Sequence, residues 1–400
     1  ATTDRVNGLF DEHINLTAHN KTLIMQRIID FGADILLFAD AALDSRVFAL
    51  AHERLALHQA VVWHWGGTLG IPTIDYYFMP EIFWSHSKCA VLHRGPVPPQ
   101  SLFAEQVVLL EGMAYISVQS PVLPREEVRA LLQTRYLLPV NNQTHIYVFP
   151  GSVKHLHPEF DRAIDVILKT DPLALIVLAV VRSGRDNVPP THIAVRHDLM
   201  HPSQPAAAVA KCLRRLRGRV GVQNIDRVRV LPPLDEAVLR GLMQLSVAVL
   251  DPFPVGMHLP ILQAMLDQIP VLSSFALQEC TNSHAFNLAH FLNITSTTTN
   301  PSGNTADTHA PHAHTGSSNT DNFAPDPSNS PGASDNFQSL YPTTPEEYGV
   351  WAVRLQREPL FRQAFIARDR AAIVELMRGS RAGPHTHGEQ LLSFMRTLVA

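Results

Sequence analysis

The sequence predicts an α/β protein of two domains, each built on a parallel sheet, and three observations carry that prediction. Apolar runs of strand length alternate with stretches of helical spacing, and the connections between them are short. The alternation occurs in two separate blocks. A chain of 400 residues also exceeds what one hydrophobic core usually organises.

In the first block, residues 21–31 (KTLIMQRIIDF) place apolar side chains at helical spacing, and Gly32 follows as a stop signal. Ile35 to Phe38 form a short apolar run read as a buried strand. Residues 45–57 read as a helix and 59–65 (QAVVWHW) as the next strand. The second block opens near residue 144 with the strand THIYVF. A helix follows over 158–169, with Pro158 in its first turn. LALIVLAVV, 173–181, is apolar throughout, as a strand covered on both faces must be. Helices over 206–217, 235–245 and 259–267 then alternate with strands over 226–231, 246–250 and 269–273. The blocks join near 125–143.

Residues 295–341 differ in kind. They are rich in Ser, Thr, Asn, Pro, Asp and His and contain no Lys or Arg, so they read as a disordered insertion whose histidines (His309, His312, His314) are solvated. Helical patterns resume over 344–357, 359–377 and 388–399. No helical repeat of about 34 residues is found. The expected domains are therefore 1–125, 126–294, the insertion 295–341, and C-terminal helices over 342–400 that pack back on the lobes.

Composition removes several function classes. Lys and Arg number 32 against 36 Asp and Glu, for a net charge of −4. Nucleic acid and anionic membranes are thus poor default partners. No apolar run reaches the roughly 18 residues of a membrane span, and no signal peptide is visible. Three scattered cysteines (Cys89, Cys212, Cys280) make no disulfide framework and favour a reducing compartment, cytoplasmic or nuclear. Four glycosylation triplets, at Asn15, Asn20, Asn142 and Asn293, pull the other way. A first residue of Ala rather than Met leaves room for upstream sequence and any targeting signal it carries.

Three loops could carry chemistry. Gly66-Gly67-Thr68-Leu69-Gly70 follows a strand, and glycines there let the backbone approach a ligand or simply turn tightly. Asp251 to Pro260 (DPFPVGMHLP) leads from a strand into a helix, whose N-terminal amides suit a diphosphate. No Lys or Arg lies between Arg240 and Arg354, so a phosphate there must rely on amides, His258 and basic residues from elsewhere. Ser152-Val-Lys154-His155-Leu-His157-Pro158 is the first strand-to-helix loop of the second block. Lys154 could neutralise a leaving diphosphate there, or be an exposed lysine near a helix start. The basic run Lys211, Arg214, Arg215, Arg217 and Arg219 reads as a solvated helix face. No Asp-x-Asp-like pair stands in the loops to hold a metal.

The residues from Asp34 to Glu81, with Arg54-Leu-Ala-Leu-His-Gln59, Gly67-Thr-Leu-Gly70 and Asp75-Tyr76 at matching spacing, resemble the N-terminal catalytic lobe of the O-GlcNAc transferase family. HPEFDRAIDVILKTDPLALIVL and the stretch from Arg227 to Ser273 resemble its C-terminal lobe. The resemblance covers about residues 20–290 and, more loosely, 344–400. It implies a GT-B fold, with two Rossmann-like domains whose parallel sheets face a central cleft, and C-terminal helices. It further implies metal-independent transfer of a sugar, GlcNAc or a hexose, from a UDP-sugar donor to a protein or peptide acceptor, with no cofactor.

Carried over residue by residue, the catalytic candidates are Lys154, His155 and His258. Ser152, Gly256, Met257, Leu259, Pro260 and Gln263 are expected on the nucleotide-sugar, and Gly67, Thr68 and Gly70 on the acceptor side of the cleft. The chain departs from the family at four positions. His155 stands where the family has its loop lysine, Leu259-Pro260 replace two threonines, and Gln263 replaces the ribose-binding acid. The family's first strands, with a histidine near the acceptor, and its helical repeats would precede residue 1, which would leave an exposed sheet edge. Two alternatives stay open: a catalytically weak GT-B nucleotide-binding scaffold, and another GT-B enzyme such as a nucleotide-sugar epimerase.

Overall fold

The computed structural model describes residues 20–39, 41, 45–63, 67–80, 99–110, 122–180, 206–257, 259–274, 342–381 and 387–399. The proposed site residue His258, the Gly66 that opens the glycine turn, the insertion 295–341 with its histidines, Cys89, Cys280, Asn15 and Asn293 lie outside them. Two compact units divide the chain: Ala1–Tyr115 with Gly379–Ala400, and Ile116–Arg378.

The first unit contains α1 (Lys21–Phe31), β1 (Ile35–Phe38), α2 (Ser45–Ala51), β2 (His58–Val62), β3 (Tyr76–Pro80), β4 (Gln106–Leu110) and, from the far end of the chain, α11 (His387–Val399). Its four described strands pair in parallel in chain order, β1-β2-β3-β4. Asn20, read in the sequence as part of a glycosylation triplet, is the N-cap of α1. Its side-chain oxygen accepts from the Thr22 amide at 2.9 Å.

Helix α2 stops at Ala51, short of the predicted residue 57, and the cause is tertiary. The buried Gln59 side chain accepts from the amides of Leu55 and Ala56 and donates to the carbonyls of Glu53 and Thr73. Those backbone groups are thereby withdrawn from helical pairing. Arg54 grips Asp75 with two hydrogen bonds, of 2.6 and 3.0 Å, while Asp75 accepts from the Gln59 amide. Arg54, Gln59 and Asp75, which carried the family resemblance, here fix the register of β2 and β3. On α11, Phe394 sets its ring against Tyr76 and Phe78 of β3 at 5.3 and 5.6 Å.

The second unit contains α3 (Arg125–Thr134), β5 (His145–Phe149), α4 (Phe160–Thr170), β6 (Ala174–Leu178), α5 (Ala206–Val220), α6 (Val222–Ile225), β7 (Val228–Val230), α7 (Glu236–Leu245), β8 (Ala248–Leu250), α8 (Leu259–Leu266), β9 (Val271–Leu272), α9 (Pro345–Arg357) and most of α10 (Pro359–Arg381). Its five strands are parallel in the order β7-β6-β5-β8-β9. The chain starts in the middle at β5, winds outward to β7, then returns across β5 to build β8 and β9. This is a doubly wound arrangement. β6 is buried along its whole length, as its unbroken apolar sequence predicts.

The segment read as a joint, 125–143, contains the helix α3. Its buried Val128 lies against Gly241 of α7, and Arg125 donates to the Gln244 carbonyl at the end of that helix at 2.8 Å. An aromatic cluster fills the core under the strand ends: Phe160 stands 5.6 Å from Phe149, 4.9 Å from Phe253 and 5.3 Å from Tyr348.

Candidate functional site

In the second unit, strand order reverses between β5 and β8. Connections leave these neighbours in opposite directions, so a crevice opens beyond their carboxyl ends. Two of the three loops singled out in the sequence emerge there. Ser152 and the single turn of 3-10 helix Val153–His155 follow β5, and Asp251 to Met257 follow β8.

The two loops touch. A Cβ built on Gly151 would sit 2.8 Å from Phe149 Cε1 and 3.2 Å from both Sδ and Cε of Met257. Only a glycine lets the Met257 side chain lie so close to the first loop. Ser152 is buried and caps the turn, its hydroxyl accepting from the Lys154 amide at 3.3 Å. The Lys154 side chain is exposed, whereas His155 is half-buried. His155 Nδ1 is shielded from solvent without a hydrogen-bond partner among the described residues. Burial holds the imidazole below its ordinary range, the Lys154 ammonium adds repulsion, and the Ser152 backbone opposes both. His155 is therefore neutral near pH 7, with one N–H to donate.

The second loop is held from beneath. Asp251 is fully buried. Its Oδ1 accepts from the Met257 amide at 2.8 Å, and its Oδ2 accepts from the Ser273 hydroxyl at 2.9 Å. Phe253 anchors the loop in the aromatic cluster, 5.4 Å from Tyr348. Gly256 is buried and Met257 half-buried. Helix α8 then begins with Leu259, which is exposed, and Pro260, which has no amide N–H to offer. Gln263 lies half-buried one turn further on.

Sequence reasoning missed two supports of this site. Asp251 was seen only as the start of a loop. Arg215 was read among solvated residues, yet it reaches from α5 to Asp161 at the start of α4, with bonds of 2.6 and 2.9 Å. Arg215 also donates to the Leu156 carbonyl at 2.8 Å, just behind His155. Burial raises the Asp161 carboxyl even against the pull of Arg215. Lys211, Arg214, Arg217 and Arg219 are exposed, as expected. Arg240, the last cation before the long cation-free stretch, is occupied: it forms a buried two-bond pair with Asp267 after α8, at 2.7 and 2.6 Å.

The glycine turn of the first unit has a different environment. Buried Glu105 accepts from the Thr68 hydroxyl at 2.6 Å, the Leu69 amide at 2.8 Å and the Gly70 amide at 3.2 Å. Glu105 directly precedes β4, so the turn has passed back to the amino-terminal side of the sheet, and Gly70 adopts φ 62° there. Gly67 and Thr68 sit at the same turn. Its amides face a carboxylate, which leaves the pair Leu69 and Gly70 unsuited to cradle a phosphate.

Among the described residues, no group of three or more His, Cys, Asp or Glu could hold a metal ion, and no helix is long and apolar enough to cross a membrane.

No protein-family model matches the sequence, and no curated protein does. Among solved structures, a mutant O-GlcNAc transferase from Thermobaculum terrenum is similar over 100% of this chain with a TM-score of 0.57 at 16% identity, and the chain spans 59% of its length. A UDP-forming trehalose-phosphate synthase from Burkholderia vietnamiensis gives a TM-score of 0.48 at 11% identity, covering 95% of this chain and 79% of its own. A trehalose-6-phosphate structure from E. coli, bound with UDP-2-fluoro glucose, gives 0.47 at 12% identity, covering 94% and 76%. The described chain is thus α/β with two parallel sheets, and its fold is that of the GT-B glycosyltransferases.

Proposed function

We propose that the chain is a UDP-sugar-dependent glycosyltransferase, similar to the O-GlcNAc transferases, that moves GlcNAc or a hexose onto a protein or peptide acceptor. One observation carries the reading: the loops after β5 and β8 abut at the point where strand order reverses, with Lys154 and His155 on one of them. The shared fold with an O-GlcNAc transferase supports the choice of donor class.

In this reading the acceptor oxygen attacks the anomeric carbon directly. The new C–O bond forms as the bond to the diphosphate breaks, the leaving UDP takes the electron pair, and the acceptor's hydroxyl proton passes to an oxygen of the departing diphosphate. Lys154 contributes a mobile positive charge, and His155 and His258 contribute hydrogen-bond donors to the developing charge. Ser152, Gly256, Met257 and Gln263 shape the nucleotide subsite, with Leu259 and Pro260 at its edge. These groups make a metal unnecessary, and the setting is cytoplasmic or nuclear.

A second reading, a nucleotide-binding scaffold with weak or no turnover, draws on one feature: α8 opens with Leu259 and Pro260, so its first turn lacks an amide and a hydroxyl that would hold phosphate.

Calorimetric titration with UDP, and separately GDP, in EDTA tests the site. Micromolar UDP binding without metal supports it, and UDP-sugar turnover then separates enzyme from scaffold. Absence of binding by either nucleotide removes the site drawn at 152–158 and 256–263.

A further inference from the structure

Asp251 occupies a position that packing alone does not explain. A fully buried carboxylate is costly unless both oxygens are satisfied. Here each oxygen has its own donor, the Met257 amide six residues on and the Ser273 hydroxyl at the end of β9. The Asp251 backbone is held as well: its N–H donates to the Leu272 carbonyl at 2.9 Å, and its carbonyl accepts from Tyr348 of α9 at 2.9 Å. Three segments thus converge on one residue. The residue they fix, Met257, is the one that packs over Gly151 in the opposite loop.

We propose that Asp251 is the positioning residue of the nucleoside-diphosphate subsite, closing residues 252–257 into a fixed ring that sets where α8 begins against the Ser152–His155 turn. The proposal rests on the donor-site reading above. Asp251 acts through Met257 and touches no ligand. A carboxylate suits the task because both its oxygens accept, so one side chain can satisfy an amide and a hydroxyl at once. The ring relieves the loop of its ordering cost before the nucleotide arrives.

The test uses the full chain with Asp251→Ala, Asp251→Asn and Ser273→Ala. Readouts are amide exchange of the 252–257 segment by mass spectrometry, calorimetric titration with UDP, and thermal melting. Asp251→Ala is expected to speed exchange of the segment, and to weaken UDP binding, by about tenfold or more, the scale of one lost charged hydrogen bond. Asparagine keeps an acceptor for the Met257 amide and is expected to restore both. Should Asp251→Ala fail to fold, Ser273→Ala decides. It removes one donor from the carboxylate, and faster exchange of 252–257 with an unchanged melt supports the proposal. Unchanged exchange in Ser273→Ala, or an asparagine variant no better than alanine, overturns it. A wild-type chain that binds no UDP overturns the donor reading instead, and the exchange rates then decide the role of Asp251 on their own.

Discussion

Two loops in this protein each follow a strand and rest on a buried carboxylate, yet the carboxylates do opposite things. In the first unit Glu105 takes the Thr68 hydroxyl and the amides of Leu69 and Gly70, which are the groups a phosphate would need. In the second, Asp251 takes the Met257 amide of its loop from beneath and the Ser273 hydroxyl from beyond β9, and Lys154 and His155 stand across from that loop. A glycine-rich turn after a strand is therefore no guide to a binding loop until the partners of its amides are known. A buried acid beneath a loop can either consume its donors or aim them.

Four experiments sharpen or break this contrast. Arg215→Ala has the largest expected effect. It strands the Asp161 carboxylate, 3% exposed, and frees the Leu156 carbonyl behind His155. Removing one partner of a buried pair costs about 3–5 kcal/mol; solvent reaches Arg215, 34% exposed, so the low end, about 3 kcal/mol, is expected, and chemical denaturation reads the loss. A change under about 1 kcal/mol would show that the second loop does not depend on α5.

Next, Lys154→Ala and His155→Ala are each expected to reduce UDP-sugar turnover by about 10²-fold, the scale of one lost electrostatic stabiliser. Exposed Lys154 should leave the melting temperature unchanged. Full activity in one variant assigns the role to the other residue, and full activity in both moves the chemistry away from this turn.

Glu105→Ala should behave the opposite way, losing about 2 kcal/mol of stability as Leu69 and Gly70 amides go unpaired while UDP affinity stays the same. A tenfold change in affinity would place the glycine turn in the donor site and end the contrast drawn above.

The smallest effect is a shift in titration. The His155 imidazole should titrate below the ordinary 6.5, and Lys154→Ala should move it back toward that value by removing repulsion. Because its folded pKa is lowered, the unfolded chain binds the proton more tightly. This group therefore costs stability only as pH falls below 6.5, and costs nothing above it. A proton NMR titration of His155 midpoint at or above 6.5 would show a hydrated ring and remove the dry environment argued for it.

Much of the second unit was legible from sequence because its pattern is local. The apolar run of β6, the helical spacing of α4 and α7, and the proline-rich loop into α8 each appeared within a few residues of their observed bounds. The first unit was harder to read. The end of α2 depended on Gln59 reaching back to Glu53 and on Thr73. In the second unit α3 was hidden in a segment read as a joint, because its buried face is only Val128 and Leu132. The candidate site divides in the same way. Lys154, His155 and Met257 could be named from their loops, whereas Arg215 looked like any exposed arginine and Asp251 like any loop start.

The sequence by itself determined that this is an α/β protein with two parallel-sheet blocks, because hydrophobic periodicity is written residue by residue. Only the tertiary structure decided which amides are occupied, which arginine is structural and which two loops meet. Those facts depend on partners far apart in the chain: 36 residues from Leu69 to Glu105, 54 from Arg215 to Asp161 and 22 from Ser273 to Asp251. A hydrogen bond forms only where folding brings donor and acceptor within about 3 Å, and no local pattern records that.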